Sequence, residues 1–357
     1  MRASTSIKGL SAATALALLA ACSGTSAVMQ KAESPQPGAN FRMGHVPAVL
    51  NQFGQVTISS RTDQRMASHY SCPATGPIKY ASDSRNNIIN VYVGRFAGQA
   101  PCGQITSGVV APQGLYVKID THDLYVANMG GFNVLVFHRG QTTSYNTYTD
   151  PGVQFTNDVA VAKDGTIIAS NQRQRKAGGE LGSVSTWIGG PNGGKFVGTY
   201  PMTNDEQGGF VTVRMNGTVY YNDFDATTGH GALWSLSCPA GVCGAQTRVA
   251  GVSLRSPGGM VFDPRDDLLA VNSDLSVHKS TADTFELPNP KPKTFALVGI
   301  PFGMAINELD DHWFVADPQN NDAAEYLYPS GKLVGTVPGN LGGDLIGIAI
   351  DPGYGLK

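Results

Sequence analysis

From about Ile78 onward the apolar residues come in short runs, broken every few positions by glycine, asparagine or aspartate. Short apolar runs bounded by such turn formers read as strands. One unit recurs: a Gly-containing turn, an apolar strand, a polar turn, and a second strand ending in a small residue followed by Asn, Asp or Ser. Its clearest copy is Pro112-Gln113-Gly114-Leu115-Tyr116-Val117, then Asp123-Leu124-Tyr125-Val126-Ala127-Asn128, with Asn133-Val134-Leu135-Val136-Phe137 as a third strand. The next runs from Asn157-Asp158-Val159-Ala160-Val161 to Thr166-Ile167-Ile168-Ala169-Ser170-Asn171, and later copies open at Gly209, Gly259, Gly303 and Gly347. Counted from Gly114 and Asp158, the openings are 44, 51, 50, 44 and 44 residues apart. Four short antiparallel strands and their turns need that length, so each repeat predicts one blade of an all-β, six-bladed propeller.

Two further patterns support a ring. Gly194-Lys195-Phe196-Val197-Gly198-Thr199 returns as Gly331-Lys332-Leu333-Val334-Gly335-Thr336, three blades later, and marks an outer strand. The last copy, Gly347-Ile348-Ala349-Ile350-Asp351, supplies only an innermost strand, whereas Ile78 to Asp83 and Ile88 to Val93 supply later strands and lack that one. Joining the two ends completes a sixth blade and removes two open strand edges; a linear solenoid would carry capping repeats instead.

The N-terminus reads as an address. Arg2 and Lys8 precede an apolar run from Leu10 to Ala20 that is too short to cross a bilayer of about 30 Å. It ends in Leu19-Ala20-Ala21-Cys22, which resembles the bacterial lipoprotein signal. That resemblance implies a signal peptide over residues 1–21, lipidation (palmitate among the acyl chains) of Cys22, and export to the cell envelope. Ser23 resembles the outer-membrane sorting preference where the cell has an outer membrane. Residues 22–45, rich in Ser, Ala, Gln, Pro and Gly, are expected as a tether, 46–77 as a lead-in segment packing on the body, and 78–357 as the propeller.

Composition narrows the class further. Charged residues are only 15% of the chain, and 44 glycines and 21 prolines suit many tight turns. With 25 Lys+Arg against 27 Asp+Glu there is no basic excess to hold nucleic acid. Apart from Cys22 four cysteines remain, an even number for an oxidising compartment. Cys238 and Cys243 enclose Pro-Ala-Gly-Val, a turn that brings them together, and Cys72 with Cys102 follows by elimination. No C-x2-C pair points to zinc.

The strand runs Leu124 to Asn128 and the Gly-Leu-Tyr-Val and Gly-Ile-Ala-Ile-Asp-Pro openings resemble the NHL-repeat group and, more distantly, the gluconolactonase and senescence-marker-protein type, over about Ile78 to Gly353. That likeness implies one divalent cation at the central mouth, held by oxygen ligands at the turns that open the inner strands; calcium would suit them. Only Thr156-Asn157-Asp158 matches such a turn well. Gln113, Asn157, Asp158 and Gln207 are therefore the candidate mouth-binding residues, with no full cofactor set and no catalytic residue assigned.

Other constellations have simpler readings. Asp317 to Asp322 with Glu325, and Asn222-Asp223, place carboxylates and amides in one loop, but Asn and Asp also serve turns. Arg173, Arg175 and Lys176 form one small basic cluster. The seven histidines are scattered, and there is no H-E-x-x-H, G-x-S-x-G or phosphate loop. Two functions remain: a membrane-anchored propeller that binds or scaffolds a protein, peptide or glycan, and a metal-dependent hydrolase or lyase acting on a small lactone or sugar.

Overall fold

A computed structural model of the chain describes residues 68–94, 100–152, 154–172, 182–202, 207–224, 230–263, 265–274, 279–287, 293–307, 311–339 and 343–353. Cys22, the tether and the Arg173 to Lys176 cluster lie outside them. The described strands form six antiparallel sheets, and each sheet is a blade. Blade 2 runs outward from Pro112–Lys118 through Asp123–Asn128 and Asn133–Phe137 to Asn146–Thr149. Blade 3 holds Phe155–Val161, Thr166–Gln172, Ser183–Ile188 and Lys195–Pro201. Blade 4 holds Gln207–Val213, Thr218–Phe224, Leu233–Ser237 and Thr247–Arg248. Blade 5 holds Ser256–Phe262, Leu268–Asp274, Lys279–Phe285 and Lys293–Leu297. Blade 6 holds Met304–Ile306, His312–Asp317, Asp322–Leu327 and Lys332–Pro338.

Blade 1 is made from both ends of the body. Leu345–Asp351 is its inner strand, followed outward by Ile78–Asp83, Ile88–Val93 and Gly103–Ile105, with the short strand His69–Tyr70 outermost. Ile78 faces Asp351, Tyr80 faces Ala349, and Ser82 faces Gly347. The inner strands contact one another in the order of blades 1 to 6 and back to 1, so the ring is closed. The repeated Gly-Lys-hydrophobic segments are the outer strands of blades 3 and 6.

The core explains why so many strands are apolar at consecutive positions. Side chains alternate between the two faces of a strand, and in a ring both faces of every blade are covered by a neighbour. Leu124 and Val126 pack toward blade 1, whereas Tyr125 and Ala127 pack toward blade 3. Six buried apolar clusters result, one at each junction between blades. Both disulfides expected from the sequence are present, Cys72–Cys102 and Cys238–Cys243. They fit an oxidising, extracytoplasmic compartment, and no described helix is long and apolar enough to cross a membrane.

Candidate functional site

The openings of the inner strands converge near the ring axis, where the candidate ligands were expected. In five blades the pairing of inner and second strand slips at this same level, next to Gln113-Gly114, Asn157, Gly209-Phe210, Gly258-Gly259 and Ile346. Each slip is a β-bulge, which bends the strand and re-aims its groups. The bulged segments touch their neighbours all round the ring. Gly259 N–H donates to the Phe302 carbonyl (2.5 Å) and Gly303 N–H to that of Ile346 (2.7 Å). The Ser82 hydroxyl donates to the Gln113 carbonyl (2.6 Å). Asn222 Nδ2 donates to Gly258 (2.7 Å), and Asn157 Nδ2 and Ser170 Oγ both donate to Gly209 (2.9 and 2.7 Å).

This girdle accounts for the recurring glycines. A Cβ on Gly303 would meet the Ile346 carbonyl and Gly347, and a Cβ on Gly347 would meet the Gln113 carbonyl. Backbones approach too closely there for any side chain. Asp158 stands in blade 3 where the other repeats have glycine. Its carboxylate lies against Gly114 of blade 2 and accepts the Val211 N–H of blade 4 (3.0 Å). Burial raises its pKa to about 7, against the opposing pull of the Val211 and Val159 amides.

The other candidates are brought to the same level, and Asn157 and the Gln113 Nε2 have structural partners there, while Gln113 Oε1 is buried without one among the described residues. Asn157 is buried, its amide donating to Gly209 and its carbonyl receiving Gln172 Nε2 at 3.0 Å. Gln113 is buried and donates to Ser84 Oγ at 2.8 Å. Gln207 opens the inner strand of blade 4, and its side chain lies outside the described residues. Past the inner strand of blade 5, Phe210 of blade 4 meets Phe302 of blade 6 edge to face, ring centroids 5.8 Å apart. The intervening inner strand has Gly258 and Gly259 at that level, which lets two non-adjacent blades touch. Among the described residues no three His, Cys, Asp or Glu side chains are grouped to hold a metal ion. Asp158, the Asn157 carbonyl that already accepts Gln172, and the unpartnered Gln113 Oε1 supply far fewer than the six or more oxygen ligands a calcium site needs.

An Asn or Asp at or near the end of the second strand of a blade also has a recurring role, accepting the N–H of the loop that enters that blade. Asp83 receives Asp344 N (3.2 Å), Asn128 receives Val110 N (2.6 Å), Asn272 receives Arg255 N (2.8 Å) and Asp317 receives Ile300 N (3.3 Å). Asp317 also takes the amides of Gln319 and Asn320, while Glu325 points elsewhere, to His312 Nδ1 at 2.6 Å. Asp223 receives Ala232 N and Trp234 Nε1, both at 2.6 Å. These loops are polar because they tie blades together.

Three polar clusters were not anticipated, because their members are far apart in sequence. Lys79, wholly buried in blade 1, lies over the Phe314 ring of blade 6 and donates to the Gly94 carbonyl at 2.6 Å. Burial lowers its pKa to about 8, with Glu325 opposing that shift. Asp351, at the end of the closing strand, pairs with His122 Nδ1 (2.8 Å) and Arg139 (2.5 Å) of blade 2. Asp123 holds His138 Nδ1 (2.8 Å) and the Tyr145 hydroxyl (3.0 Å), and those two rings stack 3.7 Å apart.

No protein-family model matches the chain, and no curated protein resembles it in sequence. Solved structures do resemble it in shape. A chain of a nidogen–laminin complex superposes with a TM-score of 0.58 at 14% identity, covering 77% of this chain and 98% of that one. The hydrazine synthase of Kuenenia stuttgartiensis does so with a TM-score of 0.53 at 13% identity, over 86% of this chain and 90% of that one. A gluconolactonase from Xanthomonas campestris superposes more loosely, TM-score 0.48 at 15% identity over 66% and 78%, and has no bearing on chemistry here. At such identities the likeness is one of fold alone: the chain's own six sheets make it a six-bladed β-propeller.

Proposed function

We propose that this is a lipid-anchored envelope protein whose propeller binds or scaffolds a protein, peptide or glycan, with Cys22 as the lipidated residue. The supporting observation is the girdle. Asn157, Asp158 and the Gln113 Nε2, groups that a central catalytic mouth would present, are already used to join blades, and Phe210 packs on Phe302 past the inner strand of blade 5. Chemistry at that level would have to break the contacts that close the ring. Recognition by the surface loops makes no such demand, because loops on a rigid scaffold can vary without disturbing it.

Two measurements test this reading. Cells expressing the chain and fed labelled palmitate should incorporate label that Cys22→Ser abolishes. The purified protein, dialysed against micromolar calcium, should hold no stoichiometric cation and hydrolyse no aldonolactone above the buffer rate. A stoichiometric calcium ion lost in Asn157→Ala, together with lactone hydrolysis, would replace binding with catalysis as the function.

A further inference from the structure

Inner-to-second and third-to-outer turns of every blade emerge on one face of the ring, the underside. Five exposed large apolar side chains lie there on three consecutive blades: Ile119 and Tyr145 on blade 2, Ile188 on blade 3, and Met215 and Val242 on blade 4. Ile119, Met215 and Val242 are 63%, 66% and 59% exposed. Ile119, Met215 and Val242 stand in turns, where a polar residue would cost little, whereas Ile188 ends a strand of blade 3 and Tyr145 is held by Asp123 and His138.

These tips are held firmly. His122 N–H returns to the Lys118 carbonyl (2.7 Å) beneath Ile119, and Gly217 N–H to the Arg214 carbonyl (2.8 Å) beneath Met215. Val242 sits in the loop closed by Cys238–Cys243. That loop leans on blade 3: Ala240 N–H bonds the Asp164 carboxylate, and the Gly241 carbonyl accepts the hydroxyls of Thr186 (2.6 Å) and Tyr200 (3.1 Å). Ile188 lies opposite Thr166, two residues on from Asp164, so Val242 and Ile188 border the same turn.

We infer that the underside of blades 2 to 4 is a membrane-contacting face, its apolar tips entering the headgroup boundary of an anionic phospholipid layer. This rests on the envelope reading above. Two features favour a lipid surface over a protein. The apolar groups are separate tips divided by polar backbone, whereas a stable protein interface needs a contiguous apolar centre and about 800 Å² on each partner. Basic residues accompany the tips: Lys118 precedes Ile119, Arg214 precedes Met215, Lys163 occupies the matching turn of blade 3, and Lys195 lies opposite Ile188. Apolar tips with lysine or arginine beside them match an interfacial anchor on anionic lipid. Asp120 and Asp266 pair with Lys118 (3.1 Å) and Arg214 (2.6 Å), which leaves insertion of the tips as the larger contribution. Tyr145, with its ring on His138, has the amphipathic character of interfacial aromatics.

The test uses the mature chain from residue 22 carrying Cys22→Ser, which lacks both the apolar signal run and the acyl anchor, in flotation with vesicles of phosphatidylethanolamine and phosphatidylglycerol. The parent should float with the vesicles, and Ile119→Ser/Met215→Ser/Val242→Ser should partition at least about tenfold less with an unchanged thermal melt. No flotation of the parent, or flotation indifferent to the triple substitution, overturns the inference. So does self-association of the parent, seen by sedimentation velocity, that the triple variant loses while vesicle binding is absent; that face would then join two copies. Palmitate labelling at Cys22 is scored separately, so an unlipidated chain would refute the envelope reading while leaving the vesicle result legible.

Discussion

The carboxylate of Asp158 in blade 3 occupies the space that Gly114 in blade 2 leaves by having no side chain. A Cβ at 114 would fall on the Asp158 oxygen and within 2.8 Å of its Cα. Gly114→Ala should therefore cost about 2–4 kcal/mol through overpacking. In Gly114→Ala/Asp158→Gly the loss should be smaller than the sum of the single losses, because the clash with the carboxylate is gone and only the close approach to the Cα at 158 remains. Urea unfolding of the four proteins checks the cycle.

The same carboxylate makes stability depend on pH. Its pKa is raised from 3.8 to about 7 in the folded protein, so between those values the folded state binds more protons than the unfolded state. Stability contributed at this site then falls as pH rises from about 4 to about 7, on the order of 4 kcal/mol in all, and levels off above. Asp158→Asn should flatten that slope in unfolding curves taken from pH 4 to 8.

Lys79 gives the opposite sign at higher pH. Its folded pKa is lowered from 10.5 to about 8, so the unfolded chain holds the extra proton between those values and stability at this site increases from pH 8 toward 10. Glu325→Ala removes a buried partner charge facing His312 and near Lys79. It should cost about 3 kcal/mol and move the Lys79 titration lower still, which lysine side-chain NMR would follow.

The two disulfides should differ in weight. Cys72–Cys102 spans 30 residues of sequence and Cys238–Cys243 spans 5. In the chain-entropy view their removal costs about 3.5 and about 2 kcal/mol respectively. Calorimetry of the two Cys→Ser pairs should show the larger drop in Tm for the longer loop.

The fold was legible because the ring imposes a local rule six times. At Gly259, Gly303 and Gly347 inner strands approach backbone to backbone, so the glycines recur at blade spacing and count the blades. Closure could be read because Leu345–Asp351 and Ile78–Asp83 each lack what the other supplies. The site was less legible. Asn157, Asp317 and Asp83 have the residue types of a cation site, yet the same oxygens and amides tie loops and neighbouring strands; only the partner's position distinguishes the two roles. The contact of Phe210 with Phe302 joins blades that are not neighbours, and Lys79 meets Phe314 across the closure. No local pattern carries such pairings. His69–Tyr70, two residues long, is too short to announce itself as a strand.

Ring closure by the C-terminal strand is tested most directly by hydrogen exchange read by mass spectrometry on peptides covering Leu345–Asp351 and Ile78–Asp83. Both should exchange as slowly as the inner and second strands of blade 3, and with the same rate as each other, because they open together. Fast exchange of Leu345–Asp351 beside a protected Ile78–Asp83 would contradict the closure.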